Sequence, residues 1–246
     1  MGATVFVLRP EPGLSATLAR GRKRGLAMEA MPLSHAEAVA WQVPEGAFDG
    51  ILLGSANALR HAEKGTDEGA GRISETMGGS AADTGLDMLP RLPVYAVGKA
   101  TAQAACSLRF PIAQVGEGGL QKLLDTLARD APLRLLRLAG EDRMTLSPPE
   151  GVTIETCTTY RIVHRALDDQ DAARLREGGV VLLHSGVAAR HFAAECQRAG
   201  VDRAKLSLAA LAPRIASHAS DGWKNVAVAP ETSDAALLSL VADMCH

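Results

Sequence analysis

Eight short runs in this chain are apolar almost from end to end: VFVL, GILL, VYAV and IAQV in the first half, then LRLL, VVLL, LSLA and VAVA. A strand with one face in water alternates apolar and polar residues, so runs without that alternation belong to strands covered on both faces. Between them stand helical stretches such as LQKLLDTLARD and DAALLSLVADM. Strands alternating with helices, and buried on both sides, predict parallel sheets sandwiched between helices, the doubly wound α/β class. Such sheets bind ligands at the carboxyl ends of their strands. That singles out the turns Arg9-Pro10, Ser55-Ala56-Asn57, Gly98 to Thr101, Gly140 and Ser185-Gly186.

The pattern is written twice. ILLGSANALRHA (51–62) matches VLLHSGVAARHF (181–192), sharing Leu52/Leu182, Leu53/Leu183, Ser55/Ser185, Ala58/Ala188, Arg60/Arg190 and His61/His191. PVYAVGKATAQ matches SLAALAPRIAS downstream, and TVFVLRPEP with GLAMEAMPL matches LRLLRLAGE with GVTIETCTT upstream. Repetition on this scale, at 246 residues, predicts two α/β lobes. With one ligand-binding edge per lobe, a cleft between lobes is the expected site. The first half carries a surplus in 61–85, rich in Gly, Ser, Asp and Glu, which is expected to be a surface loop.

Charge narrows the partners. Lys and Arg number 26 against 28 Asp and Glu, a formal charge of −2, so a polyanion such as nucleic acid is not expected as a partner. No run approaches a membrane span, and MGATVFVLRPEP lacks the signal-peptide pattern and the Ser or Thr of a myristoylation start. A cytoplasmic location without membrane attachment is expected. Cys106, Cys157, Cys196 and Cys245 are too far apart for a zinc-binding cluster and read as reduced, mostly buried thiols. No metal site is expected.

Nucleotide motifs fail at named positions. VGKAT (97–101) is like the tail of a P-loop, but Pro93 stands where that motif needs Gly. GEGG (116–119) starts a helix instead of a dinucleotide turn. Neither Ser55 nor Ser185 sits in GxSxG, so a nucleophilic serine is not indicated. Each serine follows a strand and precedes an alanine-rich helix, which suits an N-cap. The same helix start, with its unpaired N–H groups, also suits an anion. The run RGRKRG (20–25) suits a helix carboxyl end, and with Arg9 it could also draw in a multiply anionic ligand. His61 and His191 are read as packing or surface residues. Tyr160, in TCTTYRIV at the end of a β-branched strand, either packs or acts as a general acid, since a phenol keeps a proton it can donate to a leaving oxygen.

In their order, VLRP, FDGILLGSANAL, PVYAVGKAT, RLAGED, ETCTTYRIV, VVLLHSGVAARHF and VAVAPETSDAALLSLV resemble the uroporphyrinogen-III synthase family over nearly the whole chain. The resemblance implies two doubly wound parallel-sheet lobes joined by two antiparallel crossing strands. The first lobe would be 1–33 plus 166–246 and the second 37–160, with crossings near 34–36 and 161–165. It implies closure of hydroxymethylbilane to uroporphyrinogen III, with inversion of the last pyrrole ring and loss of water, by a monomer using no cofactor. A transient contact with the upstream bilane synthase is also implied. Tyr160 matches the family's tyrosine and is the implied catalytic acid. Arg9, Ser55, Ala56, Asn57, Thr101, Ser185 and Gly186 are the implied binding residues.

Three positions, in two turns, depart from the family pattern. Gly54 replaces a frequent Thr, and the turn LAPRIA has Ala212 and Ile215 in place of Gly and Thr. No role is expected at 215. The competing class is a cytoplasmic two-lobed protein that binds a small anion without turnover.

Overall fold

The computed structural model describes residues 2–63, 86, 89, 92–127 and 132–245. In chain order the strands are β1 (Val5–Val7), β2 (Met28–Ala30), β3 (Ser34–Ala38), β4 (Gly50–Leu53), β5 (Val94–Val97), β6 (Ile112–Gly116), β7 (Leu133–Gly140), β8 (Val152–His164), β9 (Gly179–Leu183), β10 (Leu206–Ala210) and β11 (Asn225–Val228). The helices are α1 (Gly13–Lys23), α2 (56–63), α3 (Lys99–Ser107), α4 (Leu120–Asp125), α5 (Asp169–Arg176), α6 (Gly186–Arg198), α7 (Pro213–Ala216) and α8 (Asp234–Cys245). Within the segment expected to loop out, residues 61–63 instead continue α2, because Ala62 is fully buried and holds that turn against the core. Residues 64–85 lie outside the described residues.

Two compact units emerge: Met1–His35 with Val163–His246, and Ala36–Ile162. The first contains a sheet of order β11-β10-β9-β1-β2, parallel throughout. The second sheet has the order β3-β8-β7-β4-β5-β6, with β8-β7-β4-β5-β6 parallel. Beside it, Leu33 O accepts from Arg165 N and Val39 N donates to Thr159 O, so partner numbers fall on β8 as they rise on β3 and that pair is antiparallel.

The written repeat maps onto these sheets strand for strand. β8-β7-β4-β5-β6 corresponds to β2-β1-β9-β10-β11, so each sheet takes two strands from one sequence half and three from the other. Burial accounts for the apolar runs. Phe6, Leu8, Val181 and Leu183 enter one core while Val5, Val7, Val180 and Leu182 enter another on the opposite face. In the second unit Ile51, Leu53, Leu136 and Leu138 pack against residues of α2 and α3, and Leu52, Leu133 and Leu135 pack against α4. Each such side chain removed from water contributes about 1.5–3 kcal/mol.

β8 runs on to His164, so Tyr160 lies within this strand and not at its end. The four cysteines are unpaired; Cys157 and Cys196 are buried, and burial pushes the Cys196 thiol up to about 12. Cys106 is exposed, contrary to the expectation of mostly buried thiols, because its helix position faces solvent. Among the described residues no helix is long and apolar enough to cross a membrane.

Candidate active site

Each parallel sheet has one place where successive crossovers leave in opposite directions. In the second unit β4 leads outward through β5 to β6, while β7 leads the other way to β8. In the first unit β1 leads to β2, while β9 leads to β10 and β11. The crevice outside the carboxyl ends of strands at such a switch point is where α/β sheets bind ligands. Gly54-Ser55 and Gly140-Glu141 flank it in the second unit, and Leu8-Arg9 and His184-Ser185 flank it in the first.

In the second unit a bulge aims the tyrosine. β7 and β8 stay in register as far as Ala139 opposite Thr158; then Gly140 faces Tyr160, leaving Thr159 as an extra residue on β8. An inserted residue bends the strand and re-aims the side chains beyond it. Thr159 is fully buried, and its Oγ1 donates to Ala58 O of α2 at 2.9 Å, tying the bulge to the Ser55 turn. The Tyr160 ring then lies over Gly140, where a Cβ would come within 2.7 Å of Cζ and 3.0 Å of the hydroxyl oxygen. His61 stands beside it, ring centroids 5.7 Å apart and planes tilted by 32°. Among the described residues none accepts a hydrogen bond from the Tyr160 hydroxyl, which leaves it available to a ligand.

Gly140→Ala therefore displaces the phenol. With the phenol as the proton donor proposed below, the expected result is a fall in kcat of about 10²-fold, typical of a reactive group misplaced by about 1 Å, and the fold is retained because the half-buried ring can swing outward. Steady-state kinetics alongside thermal melting checks it.

Ser55 Oγ accepts from Asn57 N at 3.2 Å, two residues on, so it closes a tight serine turn in place of the usual N-cap. Ser55, Ala56 and Asn57 are all half-buried. On the other side of β4, Gly98 precedes α3 at φ 79°, and no side chain caps that helix. Thr101 is only 5% exposed; Lys99 and Ala100 are the exposed members of its turn.

In the first unit Ser185 is a regular N-cap, its Oγ accepting from Ala188 N at 3.1 Å. Gly186 follows where a side chain would run into the His218 imidazole. Ala212 precedes α7 without a side-chain cap, and Ile215 packs in the core, which suits an apolar residue there. Arg9 is not a free cation. Its Nη1 lies 3.6 Å from Asp234 Oδ1 and donates to Thr17 Oγ1 at 3.3 Å.

Asp234 gathers this cluster. It accepts from Arg20 Nη1 at 2.8 Å, from Thr17 Oγ1 at 3.1 Å and from His184 Nε2 at 3.1 Å. Burial disfavours its charge, but the donors from His184, Arg20 and Thr17 outweigh that and hold the carboxyl well below the usual carboxylate range. His184 is lowered, first by burial, with the bond to Asp234 opposing and the Arg9 charge assisting. The imidazole is thus neutral, with Nε2–H facing Asp234 and Nδ1 buried without a partner among the described residues.

A family model described as uroporphyrinogen-III synthase HemD matches residues 16–239. The chain belongs to the uroporphyrinogen-III synthase family. Its members cyclise hydroxymethylbilane, a lyase reaction of tetrapyrrole and haem biosynthesis on a small-molecule substrate. Among solved structures, the uroporphyrinogen-III synthetase of Helicobacter pylori is 15% identical, with 99% of this chain and 100% of that chain covered at a TM-score of 0.65. A mutant uroporphyrinogen III synthase of Thermus thermophilus is 13% identical over 98% of each chain, at a TM-score of 0.49. At such identities the first likeness is one of fold. No curated protein matches the chain.

Set beside the family resemblance, the second unit brings Tyr160 together with α2, the helix that Ser55 opens, and places Thr101 after β5, one strand beyond β4. The first unit places Ser185, Gly186 and Arg9 at its own switch point. The contacts of His61 and Thr159 at Tyr160 are not legible in the sequence, since histidine on a helix and threonine in a β-branched strand have ordinary local roles. The repeat did offer one signal, because His61 and His191 occupy equivalent positions.

Proposed function

We propose that Tyr160 supplies the proton with which the hydroxyl of hydroxymethylbilane departs as water. The observation that carries this is the Tyr160 hydroxyl, without a protein acceptor among the described residues, on a ring seated over Gly140 at a sheet switch point. The electron-rich terminal pyrrole expels the hydroxyl as its C–O bond breaks, and the phenol proton completes the water. The resulting azafulvene is attacked by the substituted carbon of the last ring, forming a spiro intermediate. That intermediate fragments and recloses with the ring inverted. The proton released on rearomatisation restores the phenol, so the net change is loss of one water. Without positioning, the bilane closes without inversion, so the protein's main task is orientation.

The helix starts at Ser55, Ala56 and Asn57, and likewise at Ser185 and Gly186, suit carboxylate arms of the bilane, with Asn57 contributing through its side chain because its N–H is held by Ser55 Oγ; such neutral sites fit a ligand of many negative charges on a protein of formal charge −2. Thr101 shapes the third turn from beneath. Arg9 adds a positive field tempered by Asp234. We infer further that the enzyme is a cytoplasmic monomer receiving its unstable substrate in transient contact with the upstream bilane synthase.

Hydroxymethylbilane generated in place from porphobilinogen tests the reading. After oxidation, type III porphyrin rising with protein concentration is the expected result. Only type I, equal to the protein-free control, would assign the chain to anion binding without turnover.

A further inference from the structure

The internal repeat exposes a missing helix. Leu52 pairs with Arg137 in the second unit, and Leu182, its repeat equivalent, pairs with Val7 in the first, so Arg137 stands where the other sheet has Val7. Val7 is fully buried in a core that includes Leu14 and Leu18 of α1, the crossover helix between β1 and β2. The corresponding crossover, from Gly140 to Val152, contains no helix. Parallel neighbours are usually joined through one. In its place the sheet face carries an open cavity of about 450 Å³, lined by Arg137, Arg143, Glu141, Leu146, Ile154 and Thr156 among others.

Arg137 is out of place in such a wall unless something answers its charge. It is 7% exposed, its Nη1 donates to Met144 O at 3.0 Å, and its Nε is buried without a partner among the described residues. Its charge is disfavoured first by burial and then by neighbouring Arg143, and among the described residues no carboxylate offsets either. Arg143 is itself fixed at the cavity, donating to Gly140 O, Glu141 O and Thr158 Oγ1 at 3.1, 3.2 and 2.9 Å. A buried guanidinium without a counter-charge is costly, and one anion between Arg137 and Arg143 offsets both the burial and the repulsion.

We propose that this cavity is a binding site for an alkyl carboxylate, its head on Arg137 and Arg143 and its stem along Leu146, Ile154 and Pro148. A guanidinium edge matches a planar carboxylate, and the aliphatic wall suits the carbons behind it. The occupant is either a carboxylate arm of the substrate, which rests on the function proposed above, or a free small carboxylate.

Calorimetric titration of the full chain with butyrate, against sodium chloride of equal ionic strength, tests the site without any turnover. One saturable site is expected, weakened at least tenfold in Arg137→Met and several-fold in Arg143→Gln. Because Arg143 lies toward solvent, its variant decides the matter should Arg137→Met fail to fold. No butyrate binding above the chloride control, or equal binding by wild type and variants, overturns the proposal. Type III formation measured across butyrate concentrations then separates the sources. A raised KM at constant kcat identifies a substrate arm, and unchanged turnover at saturating butyrate identifies a free carboxylate. Failure of the butyrate experiment leaves the synthase reading intact, and failure of the isomer assay leaves butyrate binding interpretable.

Discussion

Tyr160→Phe is expected to lower kcat and kcat/KM together by about 10²–10⁴-fold, the range for loss of a positioned general acid. The substitution removes one oxygen and keeps the ring. Phenylalanine would still lie over Gly140 and beside His61, with Thr159 holding the bulge to Ala58. Because no acceptor for the phenol is present among the described residues, removing it leaves no buried group unpaired, and the melting temperature should move by no more than about 2 °C. The residual product should remain type III, since orientation of the last ring does not depend on the departing hydroxyl. Turnover and isomer ratio from one chromatographic assay check both parts. Unchanged kcat would return Tyr160 to a packing role.

Asp234→Ala should be the most destabilising single change at the first unit's switch point. It removes the common acceptor of Thr17, Arg20 and His184 and the counter-charge of Arg9. Asp234 and His184 are mostly buried while Arg20 lies largely in solvent, so breaking the cluster from one side costs about 2 kcal/mol, or about 4–8 °C in Tm for a chain of this size. The pH dependence has a definite sign. Asp234 is depressed in the fold, so its contribution is complete above about pH 4 and is lost as pH falls through the folded value. His184 is depressed too, so the fold favours its neutral form and loses stability as pH falls below about 6.5. Denaturant unfolding of wild type across pH 2–8 should show the His184 loss below about pH 6.5 and the onset of the Asp234 loss below about pH 4. The variant should keep the His184 portion and lack the steeper acid limb.

The sequence by itself determined the class of fold, the uroporphyrinogen-III synthase family and the pairing of the two serine turns. These rest on local patterns. Apolar runs such as GILL report burial on both faces, and a serine between strand and helix reports a helix start, without reference to distant residues. Tertiary structure alone decided the rest. Thr17 and Asp234 are 217 positions apart and meet because α1 and α8 cover the same sheet face. The aim of Tyr160 depends on one extra residue in a register between two strands, and TCTTYRIV reads as uninterrupted strand without its partner. Arg137 lies inside an apolar run and looks like a surface residue until the sheet order sets it opposite Leu52, in the place Val7 holds in the other sheet, and shows that the helix expected over it is absent. Local sequence encodes which residues avoid water, while neighbouring strands and their register decide which of them meet.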